Sequence, residues 1–181
     1  MTIGAHCADM EMSIGPALAK LAREGARIHL LHLTPGERGH KTMPADEYAE
    51  QKREEAKNAA KCLGGTATVF EYRDAELPFT KDVAMRVAEE IRRIKPNLAI
   101  THPPRSIHKD HEAAHMIMMD AVLYSVLKDI ELSEPAHSGC GVYFAENWED
   151  MDAFHPFIYL KIDEESYAAG LEVADCYELF R

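Results

Sequence analysis

The chain has 181 residues, 46% of them hydrophobic, and its 20 basic and 31 acidic side chains leave a formal charge of -11. This composition predicts one globular domain over residues 1–181 and excludes a disordered or low-complexity chain. The negative charge argues against nucleic acid and against an anionic membrane surface as partners. With no apolar run long enough to span a bilayer and no signal-peptide pattern, the sequence predicts a cytoplasmic protein.

Strand and helix patterns alternate along the first part of the chain. The predicted strands are Ile3 to Ala5, Arg27 to Leu33, Thr66 to Tyr72 and Asn97 to Thr101. The predicted helices run from Ser13 to Glu24, from Pro44 to about Cys62, and from a cap at Thr80 to Ile94. This alternation predicts an α/β fold with a Rossmann-like, mostly parallel sheet and helices on both faces.

The second part of the chain continues with a helix and two strands. We expect a helix from Asp110 to Ile130, strands from Gly141 to Ala145 and from Phe157 to Ile162, and a final helix capped by Asp163. The four cysteines have neither the paired spacing of a zinc ribbon nor the density of a disulfide scaffold. They are predicted to be reduced thiols.

Histidine and aspartate follow two of the predicted strands directly. His6 and Asp9 come after the first strand, and a histidine-rich stretch from His102 to His111 follows the fourth. Ligands of parallel sheets bind at the carboxyl ends of the strands, so these side chains are expected to converge. Two imidazoles and one carboxylate, with a position left open for water, are typical of a catalytic zinc site.

A second metal pattern overlaps the end of this stretch. The run from His111 through Glu112 to His115 matches the H-E-x-x-H pattern of zinc peptidases, in which two histidines one helical turn apart bind zinc. The pattern follows a strand of a parallel sheet and lacks a downstream glycine and third histidine. A packed helix position is therefore the expected role of His115, with the peptidase as an alternative.

Five segments resemble motifs of one enzyme family. They are Ala5-His6-Cys7-Ala8-Asp9 for Ala-His-Pro-Asp-Asp, Thr34 to Gly39 for Thr-x-Gly-Glu-x-Gly, Arg53 to Gly64 for a helix with Arg-x-x-Glu and Ala-x-x-Leu-Gly, Asp74 to Leu77 for Asp-x-x-Leu, and His108-Lys109-Asp110-His111 for His-Pro-Asp-His. The sequence thus resembles the LmbE-like (PIG-L) zinc-dependent deacetylases, which remove acetyl groups from N-acetylglucosamine conjugates. The resemblance covers roughly residues 3 to 130.

The resemblance implies a role for each matched residue. One Zn²⁺ per chain would be held by His6, Asp9 and His111. His108 would act as acid or oxyanion stabiliser, and Asp110 would orient an imidazole. Glu37, Arg53 and Asp74 would contact a small N-acetylated, sugar-like substrate.

The sequence departs from the family at the position of the general base. The family's first aspartate of the Asp-Asp pair takes a proton from water, and this chain has Ala8 there. Another carboxylate (Asp110, Glu11 or Glu37) could supply the base, the metal alone could ionise the water, or the protein could bind metal and sugar without turnover. These three alternatives stay open at the level of sequence.

The apolar C-terminal region bears on assembly. Phe154, Phe157, Ile158, Tyr159 and Leu160 are concentrated in a short stretch. Together with the family resemblance, this stretch predicts a homo-oligomer in which a neighbouring copy covers apolar surface.

Overall fold

Five short strands alternate with helices in the computed structural model, which describes residues 1–148 and 154–181. The strands are β1 (Thr2–His6), β2 (His29–Thr34), β3 (Thr66–Val69), β4 (Leu98–Thr101) and β5 (Gly141–Phe144). The helices are α1 (Asp9–Arg23), α2 (Ala45–Cys62), α3 (Lys81–Ile94), α4 (Lys109–Val126) and α5 (Glu164–Ala174). A short 3₁₀ helix, Glu178–Phe180, follows α5.

The strands form one sheet in the order β3-β2-β1-β4-β5, and every pair is parallel. The predicted α/β fold is therefore confirmed. The order of the strands reverses between β1 and β4, because the chain builds outward from β1 first on one side and then on the other. In sheets of this kind, the crevice for a ligand opens at the carboxyl ends of the two strands beside that reversal.

Apolar side chains cover both faces of the sheet. On one face, Ile3 and Leu31 belong to a core with residues of α3 and α4. On the other face, Leu30 belongs to a core with residues of α1 and α2 and with Val173 of α5. Every residue of β1 and β2 is buried, as expected of central strands in a parallel sheet that is covered on both faces.

Helix ends differ from the prediction where local geometry decides them. Helix α1 begins at Asp9, well before the predicted Ser13, because Ala8 adopts a left-handed conformation (φ 90°) that turns the chain from β1 directly into the helix. The predicted caps of α3 and α5 are confirmed. Thr80 accepts a hydrogen bond from the amide of Val83, and Asp163 accepts one from the amide of Ser166.

The predicted strand from Phe157 to Ile162 is wrong. This stretch is neither helix nor strand and pairs with no strand of the described sheet, and the side chains of Phe157 and Tyr159 are 83% and 80% exposed. β-Propensity measures how well a side chain fits a pleated, half-buried surface, and an unpaired run has no such surface.

Within the described residues, no helix combines the length and apolarity needed to cross a bilayer.

Candidate metal centre

The predicted site residues lie around the carboxyl ends of β1 and β4. His6 is the last residue of β1, Asp9 the first of α1, and His111 lies in the first turn of α4. All three are buried. The fold thus brings together side chains that are about one hundred residues apart in sequence.

Asp9 lies at the centre of the cluster. Its Oδ2 atom accepts a hydrogen bond from the His6 amide (2.8 Å), which holds the turn from β1 into α1. The same oxygen lies 3.1 Å from His6 Nδ1, 3.3 Å from His102 Nε2 and 3.4 Å from His111 Nε2. One carboxylate therefore faces three imidazoles.

Two further carboxylates approach His6 from its other side. His6 Nε2 lies 3.1 Å from Asp74 Oδ1 and 3.4 Å from Asp110 Oδ2. Both carboxylates are fixed by the backbone, since Asp74 accepts a hydrogen bond from the Arg38 amide and Asp110 accepts one from the Leu77 amide. The His6 ring is thus enclosed by three acidic groups.

The charges in the cluster shift its pKa values in opposite directions. Burial alone would lower the pKa of His6, but Asp9, Asp110 and Asp74 raise it well above its ordinary value. Burial would raise the pKa of Asp9, but the charge of His6 and the close ring nitrogens of His102 and His111 hold it well below its usual range. Without a cation, the ring of His6 is therefore the favoured place for a proton in this cluster.

Burial has the opposite outcome for two other histidines. It lowers the pKa of His102 more than Asp9 raises it. It also lowers the pKa of His108, and the neighbouring His6 and His111 add to that shift. Neutral imidazoles are the form of histidine that binds metal ions.

Hydrogen bonds also fix the orientation of two rings. Ser106 Oγ lies 3.0 Å from His111 Nδ1, so that Nε2 of this ring faces Asp9. The Asp110 amide donates to Nδ1 of His108, which caps α4 and leaves Nε2 toward Asp74 at 3.9 Å. Contacts of this kind to the second ring nitrogen are the usual way in which metal-binding histidines are oriented.

In the part of the chain that the structure describes, three overlapping groups of side chains have the composition and spacing of a cation site, with donor atoms within 4.8 Å of one another. These groups are His6, His108 and His111; Asp9, His102 and His111; and His6, Asp74 and Asp110. The predicted ligands His6, Asp9 and His111 all take part, but they are divided among these groups. His102 was not predicted as a donor, although it follows β4 directly.

Unsatisfied atoms test whether these residues suit a metal. Among the described residues, His6 Nε2, His102 Nδ1 and Asp110 Oδ2 are buried and make no hydrogen bond of acceptable geometry. Buried polar atoms in native proteins nearly always have a partner. Nitrogen and oxygen donors of this kind suit zinc, so the cluster fits a divalent ion.

The predicted substrate residues occupy three different settings. Asp74 lies in the cluster. Glu37 is buried behind it, where both carboxylate oxygens accept from the Asp74 amide at 3.2 Å. Arg53 donates to the carbonyls of Val69 and Phe70 at the end of β3.

Gly36 explains why the turn that carries Glu37 can lie so close to the cluster. Its φ of +78° is a left-handed conformation that favours glycine. A Cβ atom at this position would lie 3.1 Å from the Cβ of His6. The turn can pack against the end of β1 because residue 36 has no side chain.

The peptidase pattern gains no support from the geometry. His115 Nδ1 is 3.0 Å from the backbone oxygen of His102, and its ring contacts Phe144. Glu112 lies near the Ser106 amide and the Arg105 guanidinium. Neither His115 nor Glu112 belongs to a donor group among the residues that the structure describes.

Comparison with protein families gives a match over residues 1–122 to the family described as PIG-L, GlcNAc-PI de-N-acetylase. The chain is also 27% identical over 140 residues to diacetylchitobiose deacetylase of Thermococcus kodakarensis, covering 74% of this chain and 52% of that protein. The chain therefore spans about half the length of this deacetylase. The structure of N,N'-diacetylchitobiose deacetylase from Pyrococcus horikoshii has the same fold, with a TM-score of 0.85 at 21% identity over 99% of this chain and 69% of that one.

A relative with a different activity matches over a longer stretch. 4-Oxalmesaconate hydratase of Pseudomonas putida is 26% identical over 181 residues, covering 93% of this chain and 70% of that protein. The crystal structure of GalB, the 4-carboxy-2-hydroxymuconate hydratase of Pseudomonas putida, superposes with a TM-score of 0.90 at 25% identity, covering 98% of this chain and 77% of the other. Similar proteins thus include both deacetylases and hydratases.

Proposed function

Because the chain belongs to the PIG-L family, we propose that it is a metal-dependent enzyme that removes an acetyl group from a small N-acetylated amino sugar or sugar conjugate. The observation that carries the proposal is the buried cluster of imidazoles and carboxylates with unsatisfied atoms, at the point where the strand order reverses. Zinc bound there would polarise the amide carbonyl and lower the pKa of a water molecule.

We propose that His6, Asp9 and His111 hold one zinc ion per chain. His102 supports this set, since its ring stacks on His111 with 4.1 Å between ring centroids, and its Nε2 accepts a hydrogen bond from the Ala5 amide. That bond makes His102 a packing partner of the ligands in this proposal. The ion would take the place of the proton that His6 otherwise favours.

His108 is proposed to stabilise the developing oxyanion or to protonate the leaving amine. Its side chain is 37% exposed, so it lies at the open side of a cluster whose other rings are buried. Its lowered pKa, caused first by burial, keeps the ring neutral near pH 7 and able to donate one proton.

Asp110 is proposed as the carboxylate that replaces the base missing at Ala8. Among the described residues, Asp110 belongs to one of the donor groups of the cluster, whereas the other two candidates, Glu11 and Glu37, belong to none. Asp110 has one bonded oxygen and one buried oxygen without a hydrogen bond in the described part of the chain. Its role as an orienting group for His6 is compatible with taking a proton.

Asp74 is the proposed contact for substrate hydroxyl groups. It is nearest to the cluster, and its amide is fixed by Glu37. In this proposal Glu37 acts by positioning Asp74. Arg53, at the end of β3, would contact a more distant part of the sugar conjugate.

Metal content and acetate release, measured on the same zinc-loaded protein with a panel of N-acetylated amino sugars, test the proposal. Asp110→Asn should lower deacetylation by about 10²-fold with metal content unchanged. Metal without turnover on any substrate would favour a binding protein. Absence of metal would contradict the site itself.

Hydration of an unsaturated carboxylic acid is the second candidate function. Two observations favour it: Ala8 stands where the deacetylases are expected to have their base, and the hydratase similarity covers 93% of the chain against 74% for the diacetylchitobiose deacetylase. Loss of ultraviolet absorbance from conjugated di- and tricarboxylates, with no acetate released from amino sugars, would select the hydratase over the deacetylase.

We also propose that the protein is a homo-oligomer. Phe157, Ile158, Tyr159 and Leu160 are 83%, 55%, 80% and 48% exposed and are adjacent in sequence. A contiguous apolar patch of this kind is typical of an interface. Light scattering should give a mass above that of one chain, and Tyr159→Glu should shift it toward the monomer; a monomeric parent protein at micromolar concentration would contradict the proposal.

A further inference from the structure

A chain of buried polar side chains runs from the C-terminal segment to the end of β1, on the α1 side of the sheet. The Tyr177 hydroxyl donates to Glu11 Oε1 at 2.5 Å. The same oxygen lies 3.2 Å from His32 Nε2, and His32 Nδ1 lies 3.2 Å from the backbone oxygen of His6. Tyr177, Glu11 and His32 are each at most 1% exposed.

Packing alone does not account for these residues. Burying a carboxylate and an imidazole costs free energy that apolar side chains of similar size would not cost. A buried polar network instead favours one arrangement of the groups that it joins. Here the groups joined are the first turn of α1, strand β2 and the C-terminal segment.

The two ends of the chain of contacts fall on the proposed metal ligands. Glu11 lies two residues after Asp9 in the same helical turn, and His32 contacts the carbonyl of His6. Between these two ligands the backbone passes through Ala8 in a left-handed conformation, which costs alanine free energy and needs support from its surroundings. Fixing both sides of this turn fixes the distance between the donor atoms of His6 and Asp9.

We infer that Tyr177, Glu11 and His32 are positioning residues through which the C-terminal segment sets the geometry of the metal donors His6 and Asp9. The inference rests on the proposed metal site. It assigns a role in metal binding to a tyrosine that is 166 positions from Glu11 in sequence and lies outside the residues matched by the family.

The test compares Tyr177→Phe with Tyr167→Phe. Both changes remove one hydroxyl group near the C-terminus, but Tyr167 is 56% exposed on α5. Zinc affinity is measured by competition with a chromophoric chelator, and the visible spectrum of the cobalt-substituted protein reports the ligand geometry. We expect Tyr177→Phe to weaken zinc binding by about 10-fold and to change the cobalt spectrum, because contacts outside the ligands carry effects of this size. Tyr167→Phe should match the parent protein.

A merely structural role would give a different result. In that case the melting temperature of the metal-free Tyr177→Phe protein would fall while its zinc affinity and cobalt spectrum stayed the same, and the inference would be overturned. If Tyr177→Phe does not fold, Glu11→Gln replaces it, since it keeps the size of the side chain and removes only the charge that faces His32. A parent protein that binds neither zinc nor cobalt would overturn the metal site, and this inference with it.

Discussion

Two buried polar clusters in this molecule differ in how completely their polar atoms are hydrogen-bonded. Arg92 of α3 is 2% exposed, and its guanidinium donates to five backbone carbonyls at and beyond the end of α4. The acceptors are Tyr124, Ser125, Leu127, Ile130 and Glu134, at distances from 2.7 to 3.1 Å. The cluster at the end of β1 contains more ionisable groups and, among residues 1–148 and 154–181, still has buried atoms without hydrogen bonds.

This difference distinguishes a cluster that stabilises the fold from a cluster that is a candidate binding site. Around Arg92, a full set of donors meets carbonyls that carry the negative end of the helix dipole, so the cluster is complete as it stands. Around His6, the described residues leave buried polar atoms of the cluster without hydrogen bonds, and a cation would satisfy them. A buried polar cluster is therefore a candidate binding site because of its unsatisfied atoms, and burial or charge alone is a weaker signal.

Removal of one donor from the incomplete cluster should have the largest effect on metal binding. His111→Ala should weaken zinc binding by more than about 10²-fold, because it deletes a proposed ligand. His115→Ala, four positions along the same helix, should leave metal content nearly unchanged. Metal analysis after dialysis checks both variants. Equal loss from the two would revive the H-E-x-x-H interpretation.

The complete cluster should respond in stability and not in metal binding. Arg92→Leu leaves five carbonyls without their donor, and we expect a loss of about 3–5 kcal/mol in the free energy of unfolding. The control is Arg93→Ala, whose exposed ion pair with Glu90 should contribute less than about 1 kcal/mol. Urea denaturation of the metal-free proteins measures both values. A change in zinc affinity in Arg92→Leu would contradict the separation of the two clusters.

A substitution at position 8 tests which group acts as the base in the incomplete cluster. With Asp110 as the proposed base, Ala8→Asp should crowd that carboxylate and lower deacetylation, with metal content unchanged. A site without any base should instead gain about 10²-fold. The left-handed backbone accepts this change, since aspartate adopts that conformation more readily than alanine. Acetate release is the measurement, with Ala8→Asn as the matched control that cannot take the proton.

A folded, zinc-loaded Ala8→Asp protein with unchanged activity on every N-acetylated amino sugar would show that the family mechanism does not apply. Reduced activity would instead indicate that Asp110 already acts as the base and is crowded by the new charge. The Asp110→Asn variant separates these results, because it should lose about 10²-fold in deacetylation only where Asp110 is the base.

His29 is a single buried side chain at the amino-terminal end of the strands, opposite the end that carries the metal cluster. It is 4% exposed, its two ring nitrogens contact the Thr66 and Thr68 hydroxyls, and burial lowers its pKa to about 4. The unfolded chain takes up a proton near pH 6.5 that the folded protein does not. Stability therefore falls as the pH decreases from about 6.5 toward 4.

Because of His29, we expect the free energy of unfolding to fall by about 2 kcal/mol between pH 7 and pH 4.5. His29→Gln should flatten that part of the stability curve by this amount, whereas the exposed His155→Gln should not. Urea denaturation at several pH values makes the measurement. A parent protein whose stability does not change over this range would contradict the assigned shift.

Much of the fold could be predicted because its signals are local. Apolar runs, glycine stops and the Thr80 and Asp163 caps mark most elements, and parallel strands place His6 and His111 at one edge. The strand predicted from Phe157 to Ile162 failed because pairing depends on neighbours that a local pattern does not contain. The early start of α1 depends on one backbone angle at Ala8, which no composition rule indicates.

The site was harder to predict in its surroundings than in its centre. His102 was available as a signal, since it follows β4 directly, but the sequence does not show that its ring stacks on His111. The contact of Tyr177 with Glu11 had no signal, because the two residues meet only after α5 packs on α1. Contacts across such distances follow from tertiary packing, which periodicity does not report.

The central position of β1 has a consequence for the time course of assembly. The Ala5 amide pairs with a ring 97 residues further along the chain, so β1 forms its contacts with β2 long before β4 exists on the ribosome. Strand β4 begins 64 residues after the end of β2, so at about 5–20 residues per second the delay is roughly 3–13 s. During that interval His6 and Asp9 lack the histidines of the later segments. The complete donor set is thus a late product of synthesis, and a nascent chain can bind the proposed metal ion only after most of the sheet has been translated.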